Sequence, residues 1–156
     1  FRNHGRNADG VHEQLGLNHR MSEVLGAVGR EQLQHIEEWN DGRRSAARVY
    51  DERLDQVEEV VVPKENEGNK HVYHLYVIQI PDREDLREYL EEKGVDTGIH
   101  YPTPAHEHPA VVDRCGETTV EFTERLCDRI LSLPMHPRIT DEELNYVCDQ
   151  IEEYYA

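Results

Sequence analysis

The 156 residues carry 33 acidic against 17 basic side chains, a formal charge of −16 and an isoelectric point near 4.9. Nucleic-acid backbones and anionic bilayers are gripped by clustered cations, so this balance excludes sequence-independent nucleic-acid binding and attachment to a membrane surface. Hydrophobic residues make up 37% and recur at regular periods, so the acidity belongs to a folded protein rather than to a disordered tail.

Lys64, Lys70 and Lys93 are the only lysines, and every other cation is arginine. An acid-rich, lysine-poor surface suits concentrated salt, which points to a halophilic host. Cys115, Cys127 and Cys148 are odd in number and never spaced as a C-x-x-C pair, so neither a disulfide framework nor a zinc ribbon is indicated, and a reduced cytoplasm is expected. No apolar run approaches the roughly 18 residues of a membrane span. The chain opens on Phe1-Arg2-Asn3-His4-Gly5 without a methionine or a leader, and reads as a fragment.

Residues 1–20 are polar, with Gly5, Gly10 and Gly16 and no sustained period, and read as loop or the tail of a larger body. From Ser22, a candidate N-cap, apolar residues follow helical spacing through Met21, Leu25, Val28, Ile36, Trp39, Ala46, Ala47, Tyr50 and Leu54. The pattern over 21–56 predicts a long bridging helix or helix pair of some 50 Å, with a break expected at Gly42. A small C-terminal domain, 57–156, follows. Val57–Val62 and His71–Ile80 read as strands, Pro81–Lys93 as a helix closed by Gly94, and Val95–Tyr101 as a third strand. Pro102, Pro104 and Pro109 predict a loop without regular structure. Thr118 with Glu121 and Thr140 with Glu143 have capping-box spacing and predict two helices of about 13 and 15 residues, separated by a strand at Ile130–Leu133. The order is that of an α+β fold.

Ten histidines raise the question of a metal. His71 and His74 would face opposite sides of a strand, His106 and His108 flank Glu107 in a proline-bounded loop, and no H-E-x-x-H occurs, so no metal ligands are assigned. No G-x-S-x-G elbow and no G-x-G-x-x-G phosphate loop is present, and no catalytic residue is assigned. Two polar segments stand out. Asn18 and Arg20 lie just before a helix N-terminus, where backbone N–H groups favour an anion and where an amide and a guanidinium add donors; the alternative is a loop that merely caps the helix. His100 and Tyr101 sit at a strand end on a proline-stiffened loop and could meet a ligand; the alternative is a buried aromatic pair pinning that loop.

In order, these segments resemble the C-terminal part of the DegT/StrS family of sugar aminotransferases. The matching residues are Arg2-Asn3-His4-Gly5, Gly16-x-Asn18-x-Arg20-Met21-x-Glu23, His71-Val72-Tyr73-His74-Leu75-Tyr76, Gly98-Ile99-His100-Tyr101-Pro102 and Leu131-Ser132-Leu133-Pro134-Met135-His136-Pro137. The resemblance implies the small domain and bridging helix of an aspartate-aminotransferase-type fold, with the large cofactor domain missing. It implies pyridoxal 5′-phosphate as cofactor, an amino group moved from a donor such as glutamate to a keto group on a nucleotide-linked sugar, and a homodimer with shared active sites. By the same resemblance Asn18 reaches across the dimer interface toward the neighbouring subunit's cofactor phosphate, Arg20 helps there or binds an anionic part of the substrate, and His100 and Tyr101 line the sugar-nucleotide site. The family's Schiff-base lysine precedes the Arg-Asn-His-Gly segment, and none of the three lysines here replaces it, so the chain is expected to be inactive alone. A non-catalytic remnant or dimerisation module is one alternative; a dehydratase on the same scaffold is another.

Overall fold

The computed structural model describes residues 3–156; Phe1 and Arg2, and with them the first member of the Arg-Asn-His-Gly segment, lie outside the described residues. The chain divides into two units, residues 1–37 and 38–156.

In the first unit, residues 3–20 are not the featureless loop expected. Isolated antiparallel bridges join Asn3 to Asn18 and Arg6 to His12, with His4 N–H donating to Leu17 C=O at 3.0 Å and Glu13 N–H to Gly5 C=O at 3.1 Å. Helix α1 then runs Glu23–Leu33. It starts where the sequence places its cap: Ser22 Oγ accepts the Leu25 N–H at 3.3 Å, and Glu23 sits at the positive helix end. No residue of α1 is buried, and Val24, Leu25, Val28 and Leu33 are each at least half exposed.

Helix α2, Ile36–Leu54, follows after a break at Gln34–His35 rather than at Gly42. Gly42 lies inside α2, where its missing side chain admits the backbone of Pro137: a Cβ there would fall 2.4 Å from the Pro137 carbonyl oxygen. The glycine is a packing device, not a hinge. Ala46, Ala47, Tyr50 and Leu54 form one buried stripe at helical spacing.

Strand β1 is Tyr76–Gln79, much shorter than the predicted His71–Ile80. The reason lies in α2. Arg43 Nε donates to Val72 C=O at 3.0 Å and Arg44 Nη1 to His71 C=O at 2.7 Å and to Glu65 at 2.9 Å. Guanidinium donors thus satisfy carbonyls that a ladder would otherwise use, and Tyr73 adopts φ +45°, which ends the extended run. Val57–Val62 is likewise turn rather than strand, joined to β1 by an isolated bridge between Val61 and Gln79. Helix α3, Arg83–Glu92, ends at Lys93 with Gly94 at φ +76°, as the sequence indicates.

The proline-rich stretch is more ordered than expected. A single 3-10 turn at Ala105–Glu107 leads into α4, Pro109–Cys115, with Pro109 at its first position, where the missing N–H costs nothing. Helix α5 is only Glu121–Cys127. Thr118 does not cap it; instead Glu124 Oε1 accepts the Val120 N–H at 2.7 Å. Strand β2, Ile130–Leu133, pairs antiparallel with β1 in the register Tyr76–Leu133, Val77–Ser132, Ile78–Leu131 and Gln79–Ile130. Helix α6, Asp141–Tyr155, carries the full capping box of Thr140 and Glu143.

The core of the second unit gathers side chains from α2, β1, α3, β2 and α6. Two of its buried phenols find acceptors, as burial favours: Tyr50 donates to Pro134 C=O at 2.9 Å and Tyr76 to Asp51 at 2.6 Å. Tyr50 is fully buried within this unit. Arg53 clamps α2 to α6 through both oxygens of Glu152 at 2.9 and 2.6 Å and through Asp149 at 2.7 Å. Tyr154 and Tyr155 close the other end on the two oxygens of Asp82.

Candidate functional site

Each unit holds one of the two polar segments singled out in the sequence, and each is built from chain segments that are distant in sequence. In the first unit, the bridge between Asn3 and Asn18 brings the Arg-Asn-His-Gly segment beside the Asn18–Arg20 segment, and Arg20 Nη2 donates to Asn3 Oδ1 at 2.8 Å. The segment does cap α1, as the capping alternative holds, and it does so through Ser22. Asn18 and Arg20 are both exposed. Arg20 Nη2 donates to Asn3, and a guanidinium, with five N–H donors, has chemistry suited to a phosphate or carboxylate. Gly5 permits the turn: it has φ +65°, and a Cβ would lie 1.9 Å from Gln14 C=O.

In the second unit, β2 is the organiser. One edge pairs with β1; at the other, Ser132 forms a two-way bridge with Gly98, N–H to C=O at 2.7 and 3.0 Å. This is all that remains of the predicted strand Val95–Tyr101. Residues i and i+2 of an extended segment share a face, so His100 lies on the side of Gly98 and meets Ser132: its Nδ1 is 2.9 Å from Ser132 Oγ. Tyr101 packs edge-on against the imidazole, ring centroids 5.6 Å apart, and the peptide joining them is cis. Tyr101 is 72% exposed, so the pair is not the buried pin of the alternative reading but a surface presented to solvent. Ser132 belongs to the Leu131–Pro137 segment, which sequence reasoning matched to a family without giving it a role. That segment holds His100 through Ser132, receives the Tyr50 hydroxyl at Pro134 and meets Gly42 at Pro137.

Lys64, Lys70 and Lys93 are all exposed. Lys93 lies 5.0 Å above the Tyr89 ring and 4.0 Å from Glu153, and Tyr89 with Glu153 pushes its pKa up, opposite to what a Schiff-base amine requires. His106 pairs with neither His108 nor a cysteine. Its Nε2 meets Glu124 Oε1 at 2.9 Å, and with Glu107 these form a group of ligand-type atoms within 4.8 Å of one another. The Val120 N–H and His106 hold Glu124 below the usual carboxylate range, so this exposed-side pairing ties the 3-10 turn to α5. A cavity of about 200 Å³ is lined by Val95, Pro134, His136, Ile139, Tyr146 and Val147 among others, and includes neither His100 nor Tyr101.

Among the described residues no helix is long and apolar enough to cross a membrane. A model of the DegT/DnrJ/EryC1/StrS aminotransferase family matches residues 1–152. The chain is 34% identical over 158 residues to a pleiotropic regulatory protein of Geobacillus stearothermophilus, covering 99% of this chain and 42% of that protein. It is 34% identical over 151 residues to the UDP-N-acetyl-3-dehydro-alpha-D-glucosamine 3-aminotransferase of Acidithiobacillus ferrooxidans, covering 97% and 40%. Among solved structures, S. venezuelae DesV in complex with a ketimine intermediate superimposes with a TM-score of 0.88 at 30% identity, over 99% of this chain and 42% of that one. The chain therefore spans about two fifths of the length of the relatives it matches.

Proposed function

Because this chain belongs to the DegT/DnrJ/EryC1/StrS aminotransferase family, we propose that it is the C-terminal portion of a pyridoxal-phosphate-dependent aminotransferase that moves an amino group, from glutamate, to a keto group of a nucleotide-linked sugar in cell-surface glycan synthesis. In this reading residues 1–20 are the tail of the large domain, 21–56 the bridging helix and 57–156 the small domain. The observation that carries it is the pairing of motif segments: Asn3 with Asn18 and Arg20 in one unit, Gly98 and His100 with Ser132 in the other. Residues that sequence matching finds scattered along the chain are joined into two donor-bearing surfaces.

Asn18 and Arg20 suit the cofactor phosphate, because both are exposed and a guanidinium and an amide both offer donors to an anion. When bound, pyridoxal phosphate supplies the electron sink on which amino transfer depends. His100 and Tyr101 orient the sugar nucleotide: a ring nitrogen and a phenol can hydrogen-bond its oxygens, and the Tyr101 ring can pack against an apolar face of the sugar. Assembly is as a homodimer, Asn18 completing the neighbour's site, in the cytoplasm of a salt-adapted cell. The exposed apolar residues of α1 support association through that helix.

The 156-residue chain by itself does not transaminate in this reading, since all three lysines are exposed and none is poised as a nucleophile. Incubation with pyridoxal phosphate followed by borohydride reduction and peptide mass spectrometry tests this. No stoichiometric adduct at Lys64, Lys70 or Lys93 is expected; one specific, fully labelled lysine would overturn that part of the proposal.

A further inference from the structure

We infer that Ser132 is a positioning residue that fixes His100 as a hydrogen-bond donor through Nε2, so that His100 meets an acceptor oxygen on the ligand rather than a donor. The inference deepens the reading of His100 as a substrate-binding residue and rests on it. Three observations carry it.

First, Ser132 is 4% exposed, and its hydroxyl has one partner among the described residues, the Nδ1 of His100 at 2.9 Å. A hydroxyl has a single proton to donate, and a buried one left without an acceptor loses about 1–3 kcal/mol. The backbone C=O and N–H of Ser132 are already committed to Gly98. The proton of Ser132 Oγ therefore goes to the Nδ1 lone pair. An imidazole that accepts at Nδ1 carries its own proton at Nε2, because the bond made by one ring nitrogen sets the state of the other. The reverse arrangement, Nδ1–H donating to Oγ, would strand the serine proton in a buried place.

Second, glycine at 98 leaves room for this geometry. His100 folds back over Gly98, and a Cβ on Gly98 would lie 2.7 Å from His100 Cε1 and 3.4 Å from Nδ1. Glycine at 98 is thus what allows the imidazole to reach Ser132. The two-way backbone bridge between Gly98 and Ser132 brings the segment that carries His100 beside the serine. Third, Tyr101 packs edge-on to the imidazole while itself 72% exposed, so the arrangement opens to solvent. Nucleotide-linked sugars are rich in such acceptors, in phosphate, hydroxyl and keto oxygens, and an Nε2–H donor selects that class of group.

The test is two-bond ¹H–¹⁵N correlation spectroscopy of the histidines in the full 156-residue chain above the imidazole titration range, with His100→Gln to assign the signal. The expected wild-type result is one pure tautomer, Nδ1 unprotonated and Nε2 protonated. Ser132→Ala should relax the ring to nitrogen shifts averaged between tautomers, and Ser132→Thr, which keeps the hydroxyl, should restore the pure state. Gly98→Ala should have the effect of Ser132→Ala with the hydroxyl still present. Thermal unfolding of each variant establishes that a changed spectrum is not an unfolded one, and should Ser132→Thr not fold, Ser132→Cys with its weaker donor serves in its place. Wild-type Nδ1 protonation, or a spectrum that ignores Ser132→Ala, overturns the inference about Ser132. Failure of the underlying reading appears elsewhere: the tautomer would be as expected, but His100→Ala in the active enzyme would leave KM for the sugar nucleotide unchanged.

Discussion

Replacing Gly42 by alanine gives a result whose sign separates two readings of the same residue. As a helix breaker, Gly42 should be improved on: glycine inside a helix costs about 1 kcal/mol relative to alanine, so the variant would be more stable. The structure requires the opposite. The new Cβ would lie 2.4 Å from the Pro137 carbonyl oxygen, 3.2 Å from its carbon and 3.3 Å from its Cα, all backbone atoms that no rotamer change can clear. Forcing a methyl group into a filled space costs about 1–3 kcal/mol, and rigid neighbours place this case in the upper part of that range. After subtracting the propensity gain, the net loss is about 1–2 kcal/mol, a fall in unfolding midpoint of about 4–8 °C for a unit of this size. Gly29 in α1 is the internal control, because a Cβ there meets nothing within 4 Å; Gly29→Ala should raise helicity by circular dichroism. The assay is thermal and urea unfolding followed by far-ultraviolet circular dichroism at constant high salt. A Gly42→Ala chain as stable as the parent, or more so, would refute the packing of α2 on the Leu131–Pro137 segment.

Further expectations follow from other contacts. Arg53→Met removes the bonds to Glu152, Asp149 and Asn145 that join α2 to α6, and should destabilise the second unit by about 1.5–3 kcal/mol, a charge-assisted cluster being lost; a loss under about 0.5 kcal/mol would mean solvent replaces the clamp. Glu65, Glu124 and Glu143 are held below the usual carboxylate range, chiefly by Arg44, the Val120 N–H and Thr140 respectively. The unfolded chain binds more protons than the folded one in that window, so stability should be complete above the ordinary glutamate pKa and decline as pH falls through the lowered values. Asp51 opposes this weakly, since burial raises its pKa; stability rising steadily on acidification from pH 5 would contradict the assignment. Burial pushes the Cys148 thiol up to about 12, whereas Cys115 is exposed, so a thiol reagent should label Cys115 first and reach Cys148 only on unfolding; fast native labelling of Cys148 would contradict its place in the core. Repulsion within a chain of charge −16 is screened by salt, so the midpoint should rise from low salt to molar KCl, and a flat response would count against a salt-adapted surface.

What was legible in the sequence depended on whether the deciding interaction was local. Ser22, the Thr140–Glu143 box and Gly94 were read correctly because a cap involves residues within one turn. The strand at Ile130–Leu133 also followed from its own composition. The segments read wrongly were those settled at a distance. His71–Leu75 has strand composition, but its carbonyls are taken by Arg43 and Arg44 from α2. Thr118 has the spacing of a cap, yet the helix starts only at Glu121 and Glu124 takes the Val120 N–H before it. Gly42 looks like a break until Pro137, 95 positions later, is seen against it.

The candidate sites show the same division. Asn18, Arg20, His100 and Tyr101 could be named from residue type and position. Ser132 could not, because a serine in a strand carries no chemical signal until the fold sets its hydroxyl against an imidazole 32 residues away. The one available hint was its place inside Leu131–Pro137, a matching segment without an assigned role.

Amino transfer itself tests the central claim most directly. With ¹⁵N-glutamate, pyridoxal phosphate and a nucleotide-linked keto sugar, mass spectrometry of the sugar product reports transfer from donor to acceptor. The 156-residue chain alone is expected to transfer nothing, while the chain joined to an upstream segment that supplies the Schiff-base lysine is expected to transfer the label and to lose at least tenfold in kcat/KM on Asn18→Ala or His100→Ala. Transfer by the isolated chain, or full activity in both variants, would contradict it.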